Sequence, residues 1–163
     1  MTKKSNSKKI GNKFQEDFLN SVPSNLYCER YKDSPVRFRA VTNPADYFLN
    51  SGDYLLLVEC KTTNETTSLP LGNIQGEQVW KMLVCCSKKN TFGGFLLNFR
   101  SIEETYFVLV ADFLHWHLTR DRESVPLSWI REHGFKLSQR KKISRWTYGI
   151  QELLDWIKEV KIQ

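Results

Sequence analysis

The chain has 163 residues, 40% of them hydrophobic and 13% aromatic, so it can bury a core and is too apolar for a disordered chain. Its 24 Lys and Arg residues exceed the 18 Asp and Glu residues, which gives a formal net charge of +6. This excess favours a polyanionic partner such as nucleic acid, although solubility alone also explains it. None of the four cysteines has Cys-x-x-Cys spacing, which argues against a zinc site or a disulfide framework.

Targeting and membrane segments are not indicated by the sequence. No stretch is apolar enough for a signal peptide or a membrane span, so we expect a cytoplasmic protein, in a bacterial cell or a phage-infected host, without a membrane partner. Residues 1–9 are rich in lysine and predict a basic, flexible tail. Residues 10–163 predict a single domain.

The first predicted elements are a helix and a basic segment. Ile10, Phe14 and Phe18 recur at every fourth residue and predict a helix that ends before Pro23. Residues 28–41 alternate basic and apolar side chains, which is typical of a basic strand or arm. Arg37 and Arg39 in this segment are candidate contacts to nucleic-acid phosphates.

A strand that is apolar on both faces is predicted over residues 54–61. Leu55 and Leu57 point to one face, and Leu56 and Val58 point to the other. Apolar residues on both faces are typical of a central strand that helices cover on each side.

The remaining elements complete a mixed pattern. Helical spacing over residues 73–88 precedes strands at residues 95–99 and 104–110, and shorter helical segments lead to a last helix from Ile150. This order predicts an α/β fold with a mixed central β-sheet flanked by helices. The segment 135–148 is strongly basic, and its candidate phosphate contacts are Lys136, Arg140, Lys141, Lys142 and Arg145. Trp146 in the same segment is a candidate for stacking on a base.

The residues with the clearest chemical signal are Asp46 and the triplet Glu59-Cys60-Lys61. Two carboxylates, together with the backbone carbonyl of Cys60, form an oxygen-rich set that suits Mg²⁺ or Mn²⁺. Lys61 lies on the same strand face as Glu59, where it can orient a water or approach developing negative charge. These residues predict hydrolysis of a phosphodiester, because that reaction needs a Lewis acid and an activated water.

Two considerations leave other interpretations open. Glu-x-Lys is common by chance, so the pair is equally compatible with a surface ion pair at a strand end and an unrelated Asp46. In addition, a tight hairpin that turns at residues 50–52 would set Asp46 opposite Leu56, about 10 Å along the strand from Glu59. The carboxylates then meet only if the chain bends at Asp46 or the register is skewed.

The Asp46, Glu59 and Lys61 pattern resembles the PD-(D/E)xK nuclease superfamily and, within it, the RecU-type Holliday-junction resolvases of cells or phages. Three further stretches resemble the same family, and the likeness extends over residues 11–154. These stretches are Gly11-x-x-x-x-Glu16, then Thr62-Thr63 with residues 68–73 and Gln78, and Gly93-Gly94-Phe95 with residues 104–107.

The resemblance implies a restriction-endonuclease-like core and a Mg²⁺-dependent (or Mn²⁺-dependent) endodeoxyribonuclease. Such an enzyme is a homodimer that resolves four-way junctions by paired nicks in DNA recombination and repair. It also implies that Glu16 approaches the metal site, although a position on the ordinary surface of the helix fits this residue equally well. The region before Asp46 that forms a junction-inserting stalk in the family is short here. We therefore keep two alternatives: a nuclease of the same core that cuts other branched or flapped DNA, and a non-catalytic DNA-binding module.

Gln78 and two threonines are candidate supporting residues. Gln78 lies between Ile74 and Met82 on the apolar stripe of its helix, where an amide needs a partner. A metal-bound water or the scissile phosphate would provide one, and so would the backbone. Thr62 and Thr63 either donate hydrogen bonds to phosphate or simply continue the strand.

Overall fold

The computed structural model describes residues 3–31, 43–119 and 121–162. The helices are α1 (Lys3–Leu19), α2 (Gly76–Cys86), α3 (Val110–Thr119), α4 (Leu127–His133) and α5 (Ile150–Ile162). The strands are β1 (Tyr27–Arg30), β2 (Tyr47–Asn50), β3 (Leu55–Thr63), β4 (Ser68–Pro70), β5 (Thr91–Phe99), β6 (Glu104–Leu109), β7 (Ser124–Pro126), β8 (Phe135–Lys136), β9 (Gln139–Lys142) and β10 (Arg145–Tyr148).

Six of the strands form a central mixed sheet in the order β1-β2-β3-β5-β6-β8. The central pair, β3 and β5, is parallel, and the other neighbours in the sheet are antiparallel. The chain crosses from β3 to β5 through α2, as a parallel connection requires. The predicted α/β fold with a mixed central sheet flanked by helices is confirmed.

Two apolar cores lie on opposite faces of this sheet. On one face, Phe14 and Phe18 of α1 pack with Leu56 and Val58 of β3 and with Leu153 of α5. Leu56 and Val58 of β3 are apolar because they face this core.

The second core contains Leu57 of β3 together with Val79 and Met82 of α2, Phe113 of α3 and Ile130 of α4. The two cores together bury both faces of β3, which confirms the prediction drawn from its apolar residues on both faces.

The N-terminal helix begins earlier than the apolar spacing predicts. It starts at Lys3 instead of Ile10, so Lys3 to Lys9, expected as a flexible tail, continue the helix. Lysine is a good helix former, and each residue added to an existing helix costs little, which accounts for the extension. Arg37 and Arg39 lie outside the described residues.

Among the described residues, one edge of β3 has no strand partner where its charged residues begin. β2 pairs with β3 from Tyr47 opposite Val58 to Asn50 opposite Leu55. From Glu59 to Thr63, β3 pairs only with β5 within the described segments. At this end of β3, Lys61 and Thr62 are partly exposed, whereas Glu59, Cys60 and Thr63 are buried.

A small hairpin of β9 and β10 packs against α1 instead of joining the central sheet. Its anchor is Arg145, whose Nε lies 2.6 Å from Oδ1 of Asp17, a residue with only 1% of its side chain exposed. The backbone N–H of Tyr148 also donates a hydrogen bond to the Ser21 hydroxyl at 3.0 Å. These contacts fix the basic hairpin beside the helix.

All four cysteines are free thiols. Across the described segments, none of the helices combines the length and the apolar character that crossing a membrane requires.

The close approach of β5 to β6 gives a stability prediction. A Cβ on Gly94 would come within 2.3 Å of the Val108 carbonyl oxygen and 2.6 Å of the Phe107 ring. We expect Gly94→Ala to lower the free energy of unfolding by about 1–3 kcal/mol or more, the range for overpacking. Gly76→Ala is the control, because a Cβ there meets nothing within 4 Å, and it should be neutral or stabilising. Urea unfolding measures both, and equal stability of the two variants would contradict this packing.

Candidate active site

The register of the β2–β3 hairpin brings Asp46 level with Glu59. Tyr47 lies opposite Val58, so the residue before Tyr47 lies beside the residue after Val58. The tight hairpin that would place Asp46 near Leu56 does not form, because Leu56 pairs with Leu49. The loop comprises residues 51–54 instead of a tight turn at residues 50–52. Gly52 adopts φ 87° in it, a left-handed conformation that favours glycine.

Asp46 is held by two neighbouring elements. Its Oδ2 accepts a hydrogen bond from the backbone N–H of Cys60 at 2.9 Å. The Gln15 side chain on α1 also hydrogen-bonds to this carboxylate. Burial raises the pKa of Asp46 above its usual value, while these two hydrogen bonds and the charge of Lys61 act in the opposite direction.

Glu59 is buried, with 2% of its surface exposed. Its Oε1 lies 2.7 Å from the Nζ of Lys61, and the Gln78 side chain of α2 also hydrogen-bonds to the carboxylate. Its other oxygen, Oε2, is buried and has no hydrogen-bond partner of good geometry among the described residues. Burying a carboxylate oxygen without a partner costs free energy, so a ligand bound to this atom would stabilise the site.

The electrostatics of the pair fit a bound cation. Burial and the negative charge of Asp46 raise the pKa of Glu59 to about 7. Two carboxylates that disfavour each other's ionisation would both be stabilised by a divalent ion between them. Within the described segments, no three His, Cys, Asp or Glu side chains are grouped to hold a metal. An ion at this site would therefore depend on the two carboxylates, backbone oxygen and water, a donor set that suits Mg²⁺.

Gln78, a candidate supporting residue, hydrogen-bonds to the carboxylate of Glu59. Glu16 does not join the pair, contrary to the expectation from the family resemblance. Its carboxylate is 62% exposed and lies 2.9 Å from Arg145. Successive helical residues differ by about 100°, so Glu16 lies about 200° around α1 from the buried Phe14 and faces away from the sheet.

Gln15 was missed in the sequence interpretation although it contacts Asp46. It follows the buried Phe14 and precedes Phe18 by three residues, so it lies at the margin of the apolar stripe. This position indicates a contact within the protein, because a polar residue at such a margin reaches the neighbouring strand instead of solvent.

The candidate phosphate contacts on β3 are held within the protein. Thr62 donates a hydrogen bond from its hydroxyl to Asn98 Oδ1 at 3.3 Å. The Thr63 side chain is largely buried, and its hydroxyl accepts a hydrogen bond from the N–H of Glu65 at 3.1 Å. Both threonines therefore organise the end of β3, which is their simpler interpretation.

The basic residues of the segment 135–148 divide into paired and unpaired groups. Lys136 lies 3.3 Å from Glu104, and Lys141 lies 3.4 Å from Glu103. Arg145 forms an ion pair with Asp17. Arg140 and Lys142 are exposed on β9 and have no ion-pair partner within the described segments. These two remain the best candidates for phosphate contacts on the hairpin.

Comparison with known proteins adds an independent observation. Residues 36–148 match the model of the family "Recombination protein U". The chain belongs to this family. The matched range contains Asp46, Glu59, Lys61 and Gln78, and it confirms the resemblance drawn from the sequence.

Two curated relatives in the recombination protein U family are both named Holliday junction resolvase RecU. One, from Staphylococcus saprophyticus, is 30% identical over 138 residues, which cover 77% of this chain and 61% of the relative. Another, from Streptococcus pneumoniae, is 28% identical over 114 residues, which cover 64% of this chain and 57% of the relative. The chain thus spans less than two thirds of the length of these relatives.

One similar solved structure is the Holliday junction resolvase Hjc of Archaeoglobus fulgidus. It is 16% identical, and the match covers 77% of this chain and 95% of that chain with a TM-score of 0.48.

The contact between Gln15 and Asp46 predicts a role in metal affinity. Partners that orient metal ligands typically change affinity by 10–100-fold when removed. We expect Gln15→Met to weaken Mn²⁺ binding within that range, measured by calorimetric titration without DNA. Glu16→Gln is the matched control, since Glu16 faces Arg145, and its affinity should equal that of the unmodified protein. An equal loss in both variants would mean that α1 acts through general stability.

Proposed function

We propose that this chain is a metal-dependent endodeoxyribonuclease that resolves four-way DNA junctions. The observation that carries the proposal is the family match over residues 36–148, because that range holds a buried carboxylate pair with an adjacent lysine. The names of the curated relatives support the junction as substrate. The positive net charge supports a DNA partner.

Mg²⁺ or Mn²⁺ is the proposed cofactor, held by Asp46, Glu59 and the backbone carbonyl of Cys60. The bound ion would supply Lewis-acid stabilisation of the negative charge that develops on the scissile phosphate. Support comes from the buried, unpartnered Oε2 of Glu59 and from the mutual destabilisation of the two ionised carboxylates.

The protein side chains divide the remaining tasks. The Nζ of Lys61 lies 2.7 Å from Glu59 and its side chain is partly exposed, so its ammonium is available to a water or a phosphate oxygen beside the carboxylate. Gln78 and Gln15 each hydrogen-bond to one carboxylate and orient it. These two are positioning residues, because they act through Glu59 and Asp46.

Removing either carboxylate gives the first test. Asp46→Asn and Glu59→Gln should each reduce cleavage of a four-way junction by at least 100-fold, because they remove the charge that binds the ion. Affinity for DNA should be retained, since the site uses negative charge to bind metal and not DNA. Asp46→Asn keeps an oxygen to accept the hydrogen bond from Cys60, so thermal unfolding should change little.

Glu132→Gln is the charge-matched control, because Glu132 is an exposed residue of α4. It should cleave at the unmodified rate. Near-normal cleavage by a folded Asp46→Asn protein would refute the assignment of the site. Loss of cleavage in all three variants would indicate an effect of surface charge instead.

We further propose that the active form is a homodimer. Paired, symmetric nicks need two active sites in fixed relation, and closed two-fold pairing supplies them. The protein should therefore sediment as a dimer at micromolar concentration without DNA. With Mg²⁺ it should cut a four-way junction symmetrically about the branch point, and cut three-way and linear DNA more slowly.

The same assay distinguishes the alternatives. A monomer that makes single nicks in flapped DNA would favour a nuclease of the same core with another branched substrate. Binding without cleavage of any of the three DNAs, with Mg²⁺ or Mn²⁺, would favour a DNA-binding module.

A further inference from the structure

A polar cavity of about 210 Å³ lies between α1 and the β9–β10 hairpin, beyond the end of the central sheet. Its floor is formed by Asn98 of β5 and Gln139 of β9, and Trp146 of β10 forms part of its wall. Its volume is below the roughly 300–1,000 Å³ typical of pockets for drug-sized ligands. The cavity therefore fits one small polar group and not a whole nucleotide.

The residues that line the cavity carry more positive than negative charge. Lys13, Arg100 and Lys141 line it together with a single acid, Glu103. Glu103 pairs with Lys141 at 3.4 Å, while Lys13 and Arg100 have no ion-pair partner within the described segments. Two half-buried cations at one cavity repel each other, and an anion between them would relieve that repulsion.

A chain of hydrogen bonds fixes the floor of this cavity. Asn98 Nδ2 donates to the Thr105 hydroxyl at 2.8 Å, and that hydroxyl donates to Gln139 Oε1 at 2.6 Å. Gln139 Nε2 in turn donates to the Glu103 carbonyl at 2.6 Å. Thr62 completes the chain by donating to Asn98 Oδ1 at 3.3 Å. The floor is thus preorganised, which lowers the entropic cost of binding.

We propose that this cavity is a binding site for a phosphate group of DNA, which Lys13 and Arg100 bind. Phosphate chemistry fits because an anion of this size matches the volume, and charge-assisted hydrogen bonds from Lys and Arg are its usual partners. Trp146 also lines the cavity, and the Nζ of Lys141 lies over its ring at 5.4 Å from the centroid, which holds a third cation beside the cavity. Naming DNA as the source of the phosphate rests on the proposed function.

The position of the cavity relates it to the candidate active site. Thr62 follows Lys61 on β3, and Asn98 lies three residues along β5 from Phe95, the partner of Glu59. At about 3.3 Å per residue, the cavity floor lies roughly 10 Å along the sheet from the carboxylate pair. It lies on the α1 face, whereas Glu59 shares its face with Leu57 in the core beneath α2. A bound phosphate would thus hold DNA at a point separate from the carboxylate pair and on the other face of the sheet.

Paired variants with equal loss of charge test this proposal. Lys13→Gln/Arg100→Gln removes the two unpaired cations, and Lys88→Gln/Lys89→Gln removes two exposed lysines after α2 as the control. Affinity for single-stranded and four-way DNA is measured without divalent metal at several salt concentrations. The cavity variant should bind roughly 10–100-fold more weakly, as expected for lost charge-assisted hydrogen bonds. Its slope of log affinity against log salt should fall by about 0.7–0.9, the value for one phosphate.

A rescue variant and a free-anion titration complete the experiment. Lys13→Arg/Arg100→Lys should retain the affinity, which separates loss of charge from loss of fold. In NMR titrations, both inorganic phosphate and a dinucleotide with one phosphodiester should shift the side-chain amides of Asn98 and Gln139. Shifts with inorganic phosphate alone would overturn the assignment to DNA.

The results separate this proposal from the proposed function. A cavity variant whose affinity and slope equal those of the control would overturn the phosphate site even if the protein cuts junctions. If the protein cuts no junction, and only the cavity variant lowers the affinity and the salt slope, the phosphate site is supported and the nuclease function is refuted. In an active enzyme, the cavity variant should raise KM and leave kcat nearly unchanged, because the phosphate is remote from the bond that breaks.

Discussion

The backbone N–H of Cys60 donates a hydrogen bond to the Asp46 carboxylate, and the candidate active site depends on this contact. Beyond Val58, β2 no longer pairs with β3, so the buried N–H of Cys60 has lost its partner in that strand. The Asp46 carboxylate replaces it at 2.9 Å. A hydrogen bond to a charged group contributes about 1.5–3 kcal/mol, which offsets part of the cost of burying the carboxylate beside Glu59. Asp46 and Glu59 therefore meet at the point where β2 stops pairing with β3.

The sequence predicts the strand that carries the site better than it predicts the partner strand. The continuous apolar run of β3 indicates a central strand that is covered on both faces, and a period of two assigns Glu59 and Lys61 to one face. The register of Asp46 follows from the loop, where Gly52 and an Asn50 side chain that accepts the Gly52 N–H at 2.8 Å favour a longer connection. A tight turn and a four-residue loop use the same residue types, so the sequence does not distinguish them.

Long-range ion pairs limit what charge composition predicts. Arg145 belongs to a strongly basic segment and was expected to contact phosphate, yet it lies 2.6 Å from Asp17, which is 128 residues earlier in the chain. The sequence does indicate that Asp17 needs a partner, because it lies three residues after Phe14 on a buried helix face. The partner's identity depends on the tertiary fold, which brings β10 against α1. The number of basic residues in a segment thus overestimates the number available to DNA.

The N-terminal helix connects the carboxylate pair to the cavity because its polar residues flank an apolar centre. At about 100° per residue, Phe14 and Phe18 lie within about 40° of each other and face the sheet. Lys13 and Asp17 also lie within about 40° of each other on one flank, and they meet the cavity and Arg145. Gln15 lies on the opposite flank and meets Asp46. A rotation of α1 would move all three contacts together, so packing of the two phenylalanines sets the geometry of both sites. The buried apolar stripe of α1 thereby positions polar residues at both the candidate active site and the proposed phosphate-binding cavity.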